Sequence, residues 1–206
     1  MKSQLIGLCG GTAAGKTTIV SKLLKHYGFK ASTIQLDSYY KDFSSLSFDT
    51  RKKINFDHPN SFDTKMLKKH LTLLLKGNKI ESPIYNYKKH CRDNISNTIY
   101  PTKLIFFEGA LIFYFSKLTK LMILKIFIET PENIRFERRL KRDVEKRGRS
   151  TLQVHKQYHD SVKPMHIQYI EPFKSVADIV ISGSSEINIS VEKIIKKIDS
   201  FKIEKF

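Results

Sequence analysis

Apolar residues along this chain gather in short blocks separated by longer stretches of helical spacing. The blocks lie at 4–9, 32–36, 103–107, 121–128 and 178–181, with cores such as Leu5-Ile6-Gly7-Leu8-Cys9 and Leu104-Ile105-Phe106-Phe107. Runs without polar alternation are buried on both faces, so the pattern predicts an α/β fold: a parallel sheet flanked by helices. One helix is expected from Asp63, which offers a capping carboxylate, to about Gly77, whose freedom suits a helix stop. From 79 to 101 the pattern changes to short β-type pieces around Ile84-Tyr85-Asn86-Tyr87 and 95–100, which predicts a hairpin at the sheet edge. Thr130-Pro131-Glu132 opens a densely charged helix that Gly148 interrupts. A further helical stretch over 150–172 should break or kink at Pro164, which lacks the N–H a helix needs. Ile187, Val191, Ile194, Ile195, Ile198 and Phe201 recur at helical spacing and predict a helix closing the core, with a membrane-surface helix as the weaker alternative.

A chain of 206 residues suits one domain spanning 1–206, with the hairpin as an insertion over 79–101 and a lid over 131–149. Cys9 and Cys91 are far apart and form no C-x-x-C pair, which argues against a disulfide framework or a thiolate metal site. Cys9, at the end of an expected strand, reads as a small core residue. No apolar run reaches the length of a membrane span, so no membrane partner is expected and the cytoplasm is the expected location. The net charge of +17, from 37 Lys and Arg against 20 Asp and Glu, raises the question of a nucleic-acid partner. The lysines are scattered through nearly every segment rather than massed, which favours a solvated basic surface and a codon-biased genome over a nucleic-acid face.

The run Gly10-Gly11-Thr12-Ala13-Ala14-Gly15-Lys16-Thr17 fits the G-x-x-x-x-G-K-[ST] phosphate loop at every position, and Thr18 continues into a helix. Its setting, a buried strand before and a helix after, is the one the motif requires. Glycines let backbone N–H groups close on phosphate oxygens, and the positive end of the helix dipole favours the anion. Lys16 should reach the β and γ phosphates, and Thr17 supplies a hydroxyl for Mg²⁺. The loop says which end of a nucleotide is held, not what is done with it.

Strands of an open parallel sheet deliver their C-terminal ends to the ligand crevice. Asp37 follows the second expected strand and could deprotonate an attacking hydroxyl or help hold the metal; capping the next turn is its plain alternative. Glu108, after the third, stands where an acid holds Mg²⁺, commonly through water. The segment 111–121 is apolar and suggests no site.

Further motifs go beyond the loop. Asp37-Ser38-Tyr39-Tyr40-Lys41-Asp42, Asn55-Phe56-Asp57-His58-Pro59, Pro83-Ile84-Tyr85-Asn86-Tyr87-Lys88-Lys89-His90-Cys91-Arg92, Phe107-Glu108-Gly109 and the run from Arg138 to Arg149 resemble, in order, the motifs of the uridine–cytidine kinases. The likeness extends through Gln157-Tyr158 and Ala177-Asp178-Ile179-Val180, so it covers residues 4–182. It implies a P-loop kinase that moves the γ-phosphate of ATP or GTP to the 5′-hydroxyl of uridine or cytidine, with Mg²⁺, for pyrimidine salvage. On that likeness Asp37 is the general base and Asp57 accepts hydrogen bonds from the ribose diol. Tyr40, Tyr85, His90 and Arg92 lie towards the nucleoside; a phenol and a neutral imidazole can each donate or accept, which suits both uracil and cytosine. Arg139 matches a ribose-side contact, Arg149 a contact near the base, Gln157 a further nucleoside-side position, and Arg142 and Arg147 contacts with phosphate. The likeness also implies a homotetramer and feedback inhibition by CTP or UTP. Two departures stand out: Ala14 replaces the family's usual Ser, and Ser182-Gly183-Ser184 replaces Pro-Arg-Gly, which bears on the donor nucleotide. The rival readings are a P-loop kinase for another small hydroxyl compound, such as a sugar phosphate, and a basic nucleotide-dependent nucleic-acid binder.

Overall fold

A computed structural model describes residues 3–201. In chain order the elements are β1 (Gln4–Cys9), α1 (Lys16–Tyr27), β2 (Ala31–Gln35), α2 (Phe48–Lys52), α3 (Thr64–Leu75), β3 (Ile80–Asn86), β4 (Cys91–Ile99), β5 (Leu104–Glu108), α4 (Ser116–Thr119), β6 (Met122–Glu129), α5 (Glu132–Arg147), α6 (Thr151–Gln157), α7 (Lys163–Tyr169), β7 (Ile179–Ser182) and α8 (Ile187–Ser200). The five expected sheet strands each fall within a residue or two of their apolar blocks. They form one sheet in the order β2-β5-β1-β6-β7, and every neighbouring pair is parallel.

Both faces of this sheet are dry, as its unalternating sequence requires. Leu5, Cys9, Ile105 and Phe107 point to one core, which α3 covers with Leu67, Leu71 and Leu74. Ile6, Leu8, Phe106 and Ile126 point to the other, covered by Ile19 and Leu23 of α1 and by Ile194 and Ile198 of α8. The C-terminal helix therefore spends its apolar stripe on the core. Among the described residues no helix is long and apolar enough to cross a membrane. The segment 111–121 also finds its purpose here: Leu111, Ile112 and Phe113 are buried in the first core. Cys9 is buried, and loss of hydration pushes its thiol up to about 12, which makes it an inert packing group.

β3 and β4 pair antiparallel as a separate hairpin, Ile80 opposite Ile99 and Asn86 opposite Cys91. The long helix expected over 150–172 is divided. The chain leaves α6 through a π-turn over Tyr158–Val162, closed by the N–H of Lys163 on the carbonyl of Tyr158, and resumes as α7 with Pro164 in its first turn. The irregularity thus precedes Pro164, because a proline ring collides with the carbonyl four residues earlier and a widened turn moves that carbonyl aside.

α5 packs on α6 through Phe136, whose ring lies 4.6 Å from Tyr158 and 4.8 Å from His155. Phe136 is half-buried, and the buried residues of α5 are Arg135, Arg139 and Asp143, spaced by four. A helix that buries charge along one face is not a solvated face, and that places α5 at a site.

The core term can be measured directly. Phe106 is fully buried on a central strand, so Phe106→Ala should lower unfolding free energy by about 3–5 kcal/mol, read from urea denaturation.

Candidate active site

The phosphate loop turns out of the C-terminal end of β1, the central strand, into α1. Gly15 at φ +102° and Ala13 at φ +56° give the loop its left-handed turns. Residues 12–18 line the mouth of a cleft of about 660 Å³. Gly10 and Gly11 stand behind it: their carbonyls each accept a hydrogen bond of 2.9 Å from Lys16 Nζ, which is folded back on the loop. The loop is braced from outside. Thr130 Oγ1 donates to Ala14 O at 3.0 Å, and Gly183 lies so close that a Cβ there would sit 2.1 Å from the same oxygen. Arg138 Nη1 donates to Gly183 O at 2.8 Å, so the Ser182-Gly183-Ser184 segment is tied to both the loop and α5.

Two carboxylates approach the loop from neighbouring strands. Glu108 ends β5 and accepts a 2.7 Å bond from Thr17 Oγ1. Burial pushes its carboxyl up while Lys16 and Thr17 pull it down, with a net rise. Asp37 stands in the helical turn Leu36–Tyr39 after β2, and its Oδ2 accepts a 3.0 Å bond from the Tyr87 hydroxyl. Among the described residues no cluster of three or more acidic, histidine or cysteine ligands exists. Thr17, Glu108 and Asp37 are nonetheless hard oxygen donors beside a phosphate loop, which suits Mg²⁺, an ion that keeps most of its waters and takes phosphate oxygens.

At the far end of the cleft an aromatic wall closes it. Tyr40 stacks on Phe62 at 4.4 Å, Tyr85 lies 4.8 Å from Tyr40, and His90 stacks on Phe56 at 5.5 Å. The Tyr85 hydroxyl is buried with no partner in the protein, so it can take a hydrogen bond from a bound molecule. His90 sits at φ +53° in the hairpin turn, and burial, then Arg149 and Arg51, hold its imidazole below its ordinary value. Asp57, in the loop after α2, accepts a 3.2 Å bond from Ser161. Burial pushes its carboxyl up, with Arg139 the main opposing charge. Arg92 behaves differently from its neighbours on the hairpin. It does not line the cleft; its Nε donates to Tyr40 O at 2.8 Å and its Nη2 pairs with Asp63 at 3.4 Å. Tyr85, Tyr87 and His90 line the cleft, while Arg92, across the hairpin from Tyr85, ties the hairpin to the domain body.

Four arginines of α5 and the turn after it converge on one carboxylate. Asp143 is fully buried and lies within 2.8 Å of Arg142, 3.3 Å of Arg147, 3.3 Å of Arg149 and 3.6 Å of Arg139. Burial alone would push Asp143 up; Arg139, Arg142 and Arg147 outweigh it and hold the carboxyl below its usual range. Arg139 also donates to Thr12 Oγ1 and to Gln157 Oε1, both at 2.9 Å, and Arg149 shares that Gln157 oxygen. α5, the phosphate loop and α6 are thereby one polar network.

Reading the sequence for single roles passes over Asp143 and Tyr87. The first could have been found from its spacing, four residues after Arg139 and four before Arg147, which sets opposite charges on one helix face. For Tyr87 no such signal exists, since its partners Asp37 and Arg147 are distant in sequence.

A profile of the Phosphoribulokinase / Uridine kinase family matches residues 5–190. The chain is 41% identical over 198 residues to a uridine kinase of Ligilactobacillus salivarius, covering 96% of this chain and 93% of that one. It is likewise 41% identical over 195 residues to a uridine kinase of Clostridium tetani, covering 94% and 93%. Solved structures share the fold: D-glycerate 3-kinase of Cryptococcus neoformans has a TM-score of 0.66 at 14% identity over 90% of this chain and 88% of that one. Phosphoribulokinase of Rhodobacter spheroides has 0.60 at 16% identity over 88% and 70%. With its phosphate loop, sheet order and full-length relatives accounted for, this chain belongs to the phosphoribulokinase and uridine kinase family.

Proposed function

We propose that this protein transfers the γ-phosphate of ATP or GTP to the 5′-hydroxyl of uridine or cytidine, giving UMP or CMP in pyrimidine salvage. The observation that carries the reading is that a phosphate loop, a carboxylate at a strand end and an aromatic wall with an unpartnered phenol share one cleft. In that cleft the acceptor hydroxyl meets Asp37, the general base, while Lys16 holds the β and γ phosphates. Thr17 and Glu108, with Asp37 at hand, would hold Mg²⁺, which neutralises charge on the phosphate oxygens when bound.

The lid supplies the remaining charge. One carboxylate against four guanidiniums leaves a local excess of +3, mostly shielded from water. A surplus of that size favours an arriving polyphosphate and, through Arg142 and Arg147, the charge that spreads over the phosphoryl group in flight. Asp57 with Arg139 and Gln157 receives the ribose, and Tyr85, His90 and Arg149 the pyrimidine edge. Tyr40 forms part of the wall behind them. A deoxyribose would leave Asp57 short of a partner in a site that already raises its carboxyl, which selects ribonucleosides. The Gly183 segment, pressed against the phosphate loop, belongs on the side of the donor's base. Tetrameric assembly and feedback inhibition by CTP or UTP belong to the same reading through the family likeness.

Product formation with Mg-ATP and, separately, uridine, cytidine, 2′-deoxyuridine, adenosine and ribulose 5-phosphate tests the assignment by mass spectrometry. UMP and CMP should form, and phosphorylated ribulose 5-phosphate alone would defeat it. In Asp37→Asn, kcat should fall by about 10²–10⁴ while ATP affinity, measured by calorimetry, stays unchanged. Asp57→Asn should shrink the preference for uridine over 2′-deoxyuridine by about 10–100-fold in kcat/KM. Because burial lowers the pKa of His90, its imidazole is neutral at neutral pH and able to accept a hydrogen bond. Uridine affinity, followed by calorimetry, should therefore be flat at and above neutrality and weaken only as pH falls below the ordinary imidazole range and the ring gains a proton, a change absent in His90→Phe.

A further inference from the structure

Tyr87 stands between the two halves of the site. It leaves the end of β3 at the hairpin turn, and its hydroxyl donates to Asp37 Oδ2 at 3.0 Å. On the other side of the same ring, the Arg147 guanidinium lies 3.8 Å from the centroid, and Arg147 in turn pairs with Asp143 at 3.3 Å. A continuous chain of contacts therefore runs from the buried lid carboxylate, through Arg147 and Tyr87, to the carboxylate beside the phosphate loop. Burial, with Asp37 adding to it, pushes the Tyr87 hydroxyl far above its ordinary value, so Tyr87 is a permanent donor. Both contacts run through a single side chain whose ring edges against Tyr85 at 5.4 Å, so it has little freedom to serve one without the other.

We propose that Tyr87 is a positioning residue that couples lid closure to the general base: its hydroxyl fixes the Asp37 carboxylate while its ring seats Arg147. The inference rests on the reading of Asp37 as the base for the acceptor hydroxyl. With Oδ2 held by Tyr87, Oδ1 is the oxygen that meets the 5′-hydroxyl, and the carboxylate is oriented before the nucleoside arrives. A fixed orientation is what general-base catalysis needs, since a rotated carboxylate misses its proton by an ångström or more. The ring contact has a separate effect. A guanidinium over an aromatic face in a partly desolvated site is held without losing its charge or its N–H donors, so Arg147 remains free to meet phosphate. When phosphate draws Arg147, the ring beneath it and the hydroxyl on Asp37 respond together, so a shift of the lid is passed through one side chain to the base.

The two contacts separate by mutation. Tyr87→Phe keeps the ring under Arg147 and deletes only the donor; Tyr87→Leu deletes both. Steady-state kinetics with uridine and Mg-ATP should give Tyr87→Phe a kcat lower by about tenfold with both KM values within about twofold of the parent. Tyr87→Leu should lose a similar factor in kcat and in addition raise KM for ATP by about 3–10-fold, the loss of a desolvated cation–π contact. A merely structural role would move KM and stability in both variants and would not divide kcat from KM between them. A Tyr87→Phe enzyme with parental kcat, beside an inactive Asp37→Asn control, would overturn the coupling and leave the base assignment standing. An Asp37→Asn enzyme with parental kcat would overturn both.

Discussion

Asp143 is the constraint on which the catalytic half of this molecule depends. A buried carboxylate costs several kcal/mol unless paired, and clustered guanidiniums repel one another unless something opposite in sign sits among them. Asp143 and its arginines each remove the other's penalty, and the geometry that does so fixes α5, the turn after it and α6 relative to the phosphate loop. The arrangement overcompensates, leaving a cationic surplus with few protein partners. A site with that surplus is stable enough to be formed in advance and unsatisfied enough to bind polyphosphate.

The rest of the fold serves to bring three separate structures to that surplus. The parallel sheet carries the phosphate loop on its central strand, with Glu108 on one neighbour and Asp37 beyond β2. The strand ends converge because a parallel sheet puts all its C-terminal ends at one edge, and the crevice opens between β1 and β5, whose following connections run to opposite sides of the sheet. The hairpin is outside that sheet and adds Tyr85 and His90 to an aromatic wall that Tyr40, Phe56 and Phe62 build from the segment after β2. Arg92, holding Tyr40 O and Asp63, is the tie that keeps the wall against the domain rather than a contact for what lies within it.

Cost and chemistry meet at the same residues. Buried charges on α5, a His in the left-handed region at position 90 and an unpartnered phenol at Tyr85 are each unfavourable for folding alone. Arg139, His90 and Tyr85 face one cleft, while the two dry cores, packed by Leu, Ile and Phe, supply the stability that offsets these costs. Strain and desolvation concentrated in one place, against conventional packing elsewhere, is the pattern expected of a site built for a charged ligand.

Much of this was legible along the chain. Unalternating apolar blocks required a two-faced parallel sheet, and the phosphate loop sat where a strand ran into a helix; local spacing and backbone chemistry determine both. The hairpin, the lid helix and the covering C-terminal helix followed from turn residues and periodicity for the same reason. The ordered motifs also carried the family likeness, and with it Asp37, Asp57 and the lid arginines as candidates. Tertiary structure alone decided what those residues touch. Arg92 and His90 share one hairpin, yet one is drawn to Tyr40 and Asp63 on the domain body and the other lines the cleft, because the groups each meets come from distant segments. Asp143 looked like one acid in a charged helix until folding buried it among arginines that include one beyond the helix end, Arg149. Tyr87 meets Asp37 across 50 positions and Arg147 across the cleft, contacts between segments whose separation no local pattern encodes.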